Sequence, residues 1–262
     1  MSLTLDIGAT GMLAQQLNVD VISNNIANMT TTGYKRQRAE FQDLLYQTKV
    51  RPGANSSDQG TTIPSGIQQG LGVKAGSIYR VNEQGALQLT GNELDVANKG
   101  DGYFQITLPT GETAYTRDGS FQLDATGQMV TSEGYLVQPG ITIPDDAVDI
   151  TINNSGEVLV KIQGQTALTN VGQIQTAIFP NDAGVDAIGD NLFLETEASG
   201  AAIVGNPGEV GFGELEQGSL ETSNVNIVQE ITSLIQAQRA YEMNSKVIQT
   251  GDEMLSTITQ LR

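Results

Sequence analysis

The end of the chain, residues 219–262, carries apolar side chains at a seven-residue interval. The repeat consists of Leu220, Ile227, Leu234, Tyr241, Ile248 and Leu255. Because seven residues make about two turns of an α-helix, the interval predicts one long helix with an apolar stripe along it. At about 1.5 Å of rise per residue that helix is roughly 60 Å long, far longer than a small domain is wide. Most of the stripe therefore needs a packing partner.

The apolar positions beside this stripe change sides along the predicted helix. They are Val228, Ile231 and Ile235 in its first half, and Ala240, Val247, Met254 and Leu261 in its second half. Such drift indicates a broad, slowly rotating apolar face rather than the narrow seam of a two-stranded zipper.

A partner of the same period lies at the start of the chain. Leu5, Met12, Val19 and Ile26 repeat the seven-residue interval and predict a helix over residues 3–29. Its other positions are mostly uncharged and include several asparagines, which are weak helix formers, so this helix needs packing to be stable. We therefore predict that residues 1–33 and 219–262 form one discontinuous, coiled-coil-like helical domain into which the middle of the chain is inserted.

The middle of the chain, residues 76–218, has the alternating pattern of short β-strands. The strand candidates are Ser77 to Val81, Ala86 to Leu89, Tyr103 to Leu108, Ala114 to Arg117, Ser120 to Leu123, Gln128 to Thr131, Tyr135 to Gln138, Val148 to Ile152, Glu157 to Ile162 and Gly172 to Phe179. Turn-forming sequences at 109–111, 124–127 and 153–156 separate pairs of them and indicate hairpins. Residues 181–218 are rich in glycine and acids, with weaker strands. The predicted fold class is mixed and mainly β, an antiparallel β domain inserted into the terminal helical domain.

A connecting segment, residues 34–75, joins the first helix to the β domain. Its beginning, Tyr34 to Tyr46, is amphipathic and reads as a surface segment with an aromatic anchor, Phe41. Residues 47–72 are rich in Gly, Pro, Ser, Gln and Thr and lack a sustained period. A loop of this length is either a linker or a functional contact, and the composition leaves both open.

The negative charge of the chain is confined to its middle. The net charge is -17, and residues 76–218 alone hold 20 acids and 4 bases, whereas both ends are nearly neutral. An acidic surface repels phosphate, so nucleic acid is not an expected partner. No run of apolar residues is long enough for membrane insertion. No Lys or Arg precedes Lys35, so a cleavable signal peptide is not expected either.

Catalytic chemistry has few candidates in this sequence. The chain has no Cys and no His, and no Asp cluster has the spacing of a calcium loop, so we expect no metal and no cofactor. The adjacent pair Asp145 and Asp146 is more typical of a turn than of an acid–base pair. Tyr115, Arg117 and Asp118 could form a polar site, but alternation along a strand explains these residues equally well. We therefore predict that the protein is not an enzyme.

Two motifs at opposite ends of the chain resemble those of the flagellar rod and hook axial proteins. The first is NNIANMTTTGYKRQRAEFQDLLYQT, from Asn24 to Thr48, and the second is GSLETSNVNIVQEITSLIQAQRAYEMNSKVIQTGDEML, from Gly218 to Leu255. Between them RPGANSSDQGTTIPSG, DVANKGDGYFQI, AYTRDGSFQLDATGQMVT and VQPGITIP resemble, in order and spacing, the members that build the distal rod of the basal body. The resemblance covers nearly the whole chain.

The resemblance implies a structural subunit that is exported unfolded by the flagellar type III apparatus. Copies would assemble helically into a hollow periplasmic drive shaft, which transmits torque to the hook and lets other axial proteins pass. The expected partners are other copies of the chain, proximal rod proteins, the hook protein, and the P and L ring bushing. The terminal helices would form the inner tube, which makes the two stripes candidate self-assembly residues: Leu5, Met12, Val19, Ile26, Ile227, Leu234, Tyr241, Ile248 and Leu255.

Two alternatives remain open from the sequence. The first is a proximal rod or hook subunit; residues 46–65, which resemble the insertion that stiffens the distal rod, argue against it. The second is an acidic secreted peptidoglycan hydrolase that uses two carboxylates. Concentration-dependent polymerisation, as opposed to glycan turnover, distinguishes a rod protein from a hydrolase.

Overall fold

The computed structural model describes residues 3–52, 65–164 and 167–260. Within those ranges a helix lies near each end of the chain and all the strands lie between the two helices. The helices are α1 (Leu3–Ala27) and α2 (Ile227–Gln260). The strands are β1 (Gln37–Asp43), β2 (Tyr46–Val50), β3 (Ile67–Gly70), β4 (Val73–Arg80), β5 (Leu87–Leu89), β6 (Val96–Lys99), β7 (Tyr103–Thr107), β8 (Thr113–Thr116), β9 (Gln122–Leu123), β10 (Met129–Val130), β11 (Leu136–Val137), β12 (Ala147–Ile152), β13 (Glu157–Ile162), β14 (Leu168–Gln173), β15 (Thr176–Ile178), β16 (Asp186–Gly189), β17 (Leu192–Leu194), β18 (Ile203–Gly205), β19 (Glu214–Gln217) and β20 (Ser219–Glu221).

The chain divides into two compact units. The helical unit comprises Met1–Ile26, Gln37–Tyr79 and Asn226–Arg262, and the β unit comprises Ala27–Arg36 and Arg80–Val225. The strand ladders of the β unit are antiparallel, among the residues described. The predicted fold class, a mainly antiparallel β region between terminal helices, is therefore confirmed. Neither helix has the length and hydropathy needed to cross a membrane, among the residues described.

The helical unit consists of α1, α2 and two small ladders. β1 pairs with β4, and β2 pairs with β3. The two helices run antiparallel. Gly8 lies against Ile248 and Gly11 against Asn244, so residue numbers increase along α1 in the direction in which they decrease along α2. Each helix thereby covers the apolar stripe that the other cannot bury alone.

The β unit is built around one large sheet and one smaller one. The large sheet has the order β16-β17-β8-β7-β11-β10-β9, with β15 joining β7 to β18, and the smaller sheet has the order β12-β13-β14. Two further pairs, β19 with β6 and β20 with β5, bring the last strands beside early ones. The main core lies among these elements and includes Val96, Phe104, Phe121, Met129, Val137, Ile141, Ile143, Ile152, Val158, Val160, Ile174 and Leu215.

The three predicted hairpin turns form as the sequence indicates. Gly111 closes the turn between β7 and β8 with φ 87°, a backbone conformation that favours glycine. The side chain of Asp124 accepts hydrogen bonds from the backbone N–H groups of Thr126 and Gln128 between β9 and β10. Asn153 does the same for Ser155 and Glu157 between β12 and β13. Short side-chain oxygens thus substitute for a backbone acceptor in both turns.

The C-terminal helix begins later than its repeat predicts. Residues 219–221 form strand β20, and α2 starts at Ile227 rather than at Ser219. Leu220 fits a seven-residue helical repeat, but its backbone pairs with Gln88 in β5. The start of α2 is fixed by Asn226, whose side-chain Oδ1 accepts hydrogen bonds from the backbone N–H groups of Val228 and Gln229.

Other boundaries also differ from prediction. The amphipathic segment beginning at Tyr34 contains strand β1, and the predicted strand 172–179 is divided between β14 and β15. The weakly patterned region 181–218 supplies β16 to β19. Strand β2, at the start of the predicted insertion 46–65, pairs antiparallel with β3, which follows the insertion. Residues 53–64 lie outside the described residues.

Candidate assembly surfaces and the contacts that fix them

The contact between α1 and α2 is close because glycines lie on it. Gly8 and Gly251 are buried. A Cβ added to Gly8 would lie 2.7 Å from Cγ1 of Ile248, and one added to Gly251 would lie 3.3 Å from Cδ2 of Leu5. Each large aliphatic side chain of one helix thus fills the space left by a glycine of the other.

We expect Gly8→Val to weaken this helix pair. The Cβ of any side chain at this position lies 2.7 Å from Cγ1 of Ile248 in every rotamer, so Ile248 has to move, and overpacking of this kind costs about 1–3 kcal/mol. The measurement is the thermal loss of helical circular dichroism. The control is Ala9→Val, because Ala9 is exposed on the same turn and its change should cost less than about 1 kcal/mol. Equal melting of the two variants would contradict the close contact.

The structure brings several of the predicted self-assembly residues together within one chain. Leu5 and Ile248 lie on the contact between α1 and α2, while Val19 and Tyr241 line an open cleft of about 420 Å³ with Gln16, Gln238 and Glu242. Met12, Ile26 and Leu234 are half-buried, whereas Ile227, Tyr241 and Leu255 are about two-fifths exposed. The seven-residue stripe is thus largely used for packing the chain on itself. Its part in contacts between copies stays a prediction.

Two exposed apolar surfaces of α2 lie beside this stripe. The first flank is Val228, Ile231 and Ile235, and the second flank is Met243, Val247 and Met254. Exposure reaches 76% at Val228, 53% at Ile235 and 62% at Met243, which is high for large apolar side chains. These are largely the drifting positions noted in the sequence. Large apolar side chains exposed together in this way make each flank a candidate surface for binding another molecule.

The outermost line of α2 is polar and exposed. It consists of Thr232, Arg239, Lys246 and Glu253, again at a seven-residue interval. Arg239 and Glu242 form an exposed ion pair at 3.7 Å, which contributes little to stability. The helix therefore presents one face to α1, an apolar flank along each half of its length, and a polar line to solvent.

Asn25 ties the end of α1 to the rest of the helical unit. It is buried, and its side chain both accepts from the backbone N–H of Gln37 and donates to the carbonyl of Gln37, each at 2.8 Å. It also donates to Oε2 of Glu230 in α2 at 3.2 Å. From the sequence alone, Asn25 is one of the asparagines that are weak helix formers. A satisfied buried amide of this kind fixes one arrangement of three segments.

A buried ionic cluster in the β unit joins residues from both end motifs. Nζ of Lys35 donates to Oε1 of Glu221 at 2.6 Å and to the carbonyl of Glu83 at 2.9 Å. Nη1 of Arg117 donates to the carbonyl of Gly100 at 2.7 Å and lies 3.5 Å from Oε2 of Glu221. The side chains of Lys35 and Glu221 are each only 1% exposed. We call Lys35, Arg117 and Glu221 the ionic clasp.

Backbone contacts reinforce the ionic clasp. The N–H of Gly33 donates to the carbonyl of Glu221, and the N–H of Arg36 donates to Oδ1 of Asn224. Gly33 has φ 67°, and a Cβ there would lie 2.8 Å from the carbonyl carbon of Arg117, so this position requires glycine. The short sequence around Thr32-Gly33-Tyr34 is thereby held against residues 221–224.

Burial shifts the pKa of two groups at this cluster. The pKa of Lys35 is lowered, first by burial and then by the charge of Arg117, while the carboxylate of Glu221 opposes the shift. Burial raises the pKa of Tyr103 to about 12, with a further contribution from Asp182. Tyr103 also lies under the guanidinium of Arg117, whose Cζ is 5.1 Å from the ring centroid.

The residues weighed as catalytic candidates have structural contacts. Asp146 lies in a turn, where its carbonyl accepts from the N–H of Gln163, and Oδ1 of Asp118 accepts from the N–H and hydroxyl of Ser120. Arg117 belongs to the ionic clasp, and the ring of Tyr115 packs edge-on against Phe179. In the part of the chain that is described, no three acids gather in a way that could hold a metal ion.

Comparison with known families gives three matches that follow the fold. Residues 5–35 match the family described as "Flagella basal body rod protein". Residues 97–160 match "Flagellar hook protein FlgE/F/G D1 domain", and residues 216–261 match "Flagellar basal body rod FlgEFG protein C-terminal". The first and last matches contain the residues of α1, α2 and two members of the ionic clasp, Lys35 and Glu221.

Relatives of this chain extend over its whole length. The "Flagellar basal-body rod protein FlgG" of Caulobacter vibrioides is 63% identical over 258 residues, which cover 98% of each chain. The proteins of the same name from Agrobacterium fabrum and Borreliella burgdorferi are 52% and 50% identical. They cover 98% and 97% of this chain, and 98% and 96% of their own.

Proposed function

The chain belongs to the family of flagellar basal-body rod proteins, and we propose that it is the subunit of the distal rod. It is a structural protein of the basal body, where rod and hook components assemble. The observation that carries the proposal is the identity of 63% with a rod protein over 98% of each chain. The resemblance of the sequence to distal rod members, including residues 46–65, supports the distal position.

The proposed mechanism of assembly uses the helical unit. Copies associate through the first and second flanks of α2, whose apolar side chains are exposed in the single chain. Burying a side chain such as Ile235 is worth about 1.5–3 kcal/mol relative to leaving it in water. Every copy in a helical polymer repeats the same contacts, because a heterologous interface that does not close gives an open helix. In this proposal the shaft is hollow. The terminal helices, which carry the predicted self-assembly residues, lie nearest the channel.

The remaining partners follow from position in the proposed shaft. The rod lies in the periplasm between proximal rod proteins and the hook protein, turns inside the P and L ring bushing, and receives subunits exported unfolded, without a cleavable signal peptide, by the type III apparatus. The acidic middle of the chain supports a solvated outer surface, because residues 76–218 contain 20 acidic and only 4 basic residues. We also propose that the paired terminal segments, residues 1–33 and 219–262, are the assembly domain, that residues 76–218 are an acidic β domain, and that residues 34–75 connect the two.

Deletion of the gene tests this function by electron microscopy of isolated basal bodies. We expect basal bodies whose rod stops short and carries no hook, and we expect the unaltered gene to restore both the rod and swimming. Complete basal bodies in the deletion strain would contradict a rod function. Basal bodies without any rod would instead assign the chain to the proximal part. Purified protein supplies the independent test, since a rod subunit polymerises with rising concentration and a hydrolase turns over glycan.

A further inference from the structure

The last strands of the β unit complete its main core. Leu215 in β19 is 1% exposed and packs in the cluster that contains Phe104 and Phe121. β19 pairs with β6 over four residues, from Glu214 with Lys99 to Gln217 with Val96. Without β19, strand β6 loses its partner, and the core loses the side chain of Leu215. Strand β6 would then expose both backbone groups and apolar surface.

Gln217 joins the smaller sheet to the same region. Its Oε1 accepts from the N–H of Ile152 at 3.0 Å, and its Nε2 donates to the carbonyls of Ile150 and Glu93 at 2.7 and 2.8 Å. Ile150 and Ile152 lie in β12, and Glu93 precedes β6. One side chain near the end of the chain thus satisfies backbone groups of two separate earlier segments.

Glu221 supplies the charge that the ionic clasp requires. Lys35 and Arg117 are both buried, and the carboxylate of Glu221 touches each of them. Before Glu221 is present, a chain that closes around these two cations buries charge without this compensation, which strongly disfavours closure.

The helical unit depends on the same end of the chain. The close contacts of α1 described above, at Gly8, Gly11 and Asn25, are with Ile248, Asn244 and Glu230 of α2. A single helix with few charges and several asparagines is marginal in water without a packing partner. Residues 3–27 therefore have little to hold them as a helix until residues 227–260 are available.

We propose that the C-terminal segment, residues 214–260, acts as the folding latch of the whole chain. Neither unit closes before this segment is present, although it follows more than four-fifths of the sequence. A chain made from its N-terminus therefore remains open until its synthesis is nearly complete. In a rod subunit the latch has a use, which rests on the proposed function: the chain stays in the extended form that passage through a narrow channel requires until its last part arrives.

Hydrogen exchange on the full-length monomer tests the latch. The reporter amides are those of Gly33, Leu215 and Thr222, which donate to the carbonyls of Glu221, Asn154 and Ala86. If the latch is integral to the β unit, these amides exchange only through the same opening as the amide of Phe104 in β7. We expect their opening equilibria and denaturant dependence to agree with that of Phe104 within about threefold. Reporter amides that exchange more than about a hundredfold faster while Phe104 stays protected would overturn the proposal.

A core variant separates a latch from a local attachment. Leu215→Ala should lower the protection of Phe104 by the same factor as that of the reporter amides, because all of them open together. The control is Glu214→Gln, at the exposed neighbour of Leu215 in β19. It should leave the protection of Phe104 and of the reporter amides unchanged. Loss of protection at the reporter amides alone would show that β19 and β20 detach from a folded core. These measurements use the monomer, so a failure of the latch is distinguishable from a failure to form rods.

Discussion

Replacing Ile235 by aspartate is expected to abolish rod assembly and swimming without lowering the melting temperature of the monomer. Ile235 belongs to the first flank of α2 and is 53% exposed in the single chain, so a carboxylate there is solvated in the monomer. In an assembled rod the same carboxylate is forced into an apolar contact, where it has no partner. The loss of about 3 kcal/mol at each contact weakens association by more than a hundredfold, and the polymer repeats that loss at every copy.

The matched control is Thr232→Asp, on the neighbouring turn of the polar line of α2. Thr232 is exposed and borders the first flank without belonging to it, so an aspartate there is expected to weaken assembly far less than one within the flank. We expect this strain to swim. Monomer melting, rod formation in electron micrographs and swimming are measured for both variants. Normal rods in the Ile235→Asp strain would show that the first flank is not an assembly surface.

Ile248→Asp tests the seven-residue stripe in the same way. Its effect on the monomer should be the opposite of that expected for the first flank. Ile248 packs against Gly8 within the chain, so aspartate there removes an internal contact as well as any contact between copies. We expect the helical signal of the monomer to melt at a lower temperature, in contrast to Ile235→Asp. An unchanged monomer would mean that the pairing of α1 and α2 contributes nothing to the stability of a single chain.

Glu221→Gln is expected to cost the β unit about 3–5 kcal/mol of unfolding free energy, because it removes the carboxylate from a buried ion pair and leaves the cations in place. Glutamine retains the size of the side chain and its ability to accept from the N–H of Gly85, so the loss is one of charge. Urea unfolding followed by circular dichroism measures the change, since the chain has no tryptophan to report on it.

Three companion variants locate the effect at the ionic clasp: Glu214→Gln, Lys35→Met, and the double variant Lys35→Met with Glu221→Gln. Glu214→Gln removes an exposed carboxylate of the same unit and should change the unfolding free energy by no more than about 0.5 kcal/mol. In the double variant Lys35→Met with Glu221→Gln, one of the two buried cations is gone, and the loss should be smaller than the sum of the two single losses. Additive losses would indicate that Lys35 and Glu221 do not interact in solution.

The helices and hairpins could be predicted from the sequence because their signals are local. The seven-residue repeats of Leu5 and Ile248 place apolar side chains on one helical face whatever the partner is. The turns at Gly111, Asp124 and Asn153 form because these residues bond, or bend the backbone, within a few positions of themselves.

Leu220 marks where local signals are insufficient. A single apolar residue fits the end of a helical repeat and a short strand equally well, so the choice depends on what lies beside it. Here β5 offers backbone partners to residues 219–221, and Asn226 starts the helix only after them. A segment more than a hundred residues away in the chain therefore decides that residues 219–221 form a strand, and the local cap Asn226 fixes where α2 begins.

The sequence by itself determined that two helices of one period flank an antiparallel β region, and it carried the motifs of the rod family. Only the tertiary structure decided that Lys35 is buried against Glu221, that Asn25 bonds Gln37 and Glu230, and which apolar residues of α2 stay exposed. The physical reason is that periodicity fixes the face a side chain lies on. Whether that face is covered, and whether a charge is compensated, depends on partners that folding brings from the other end of the chain.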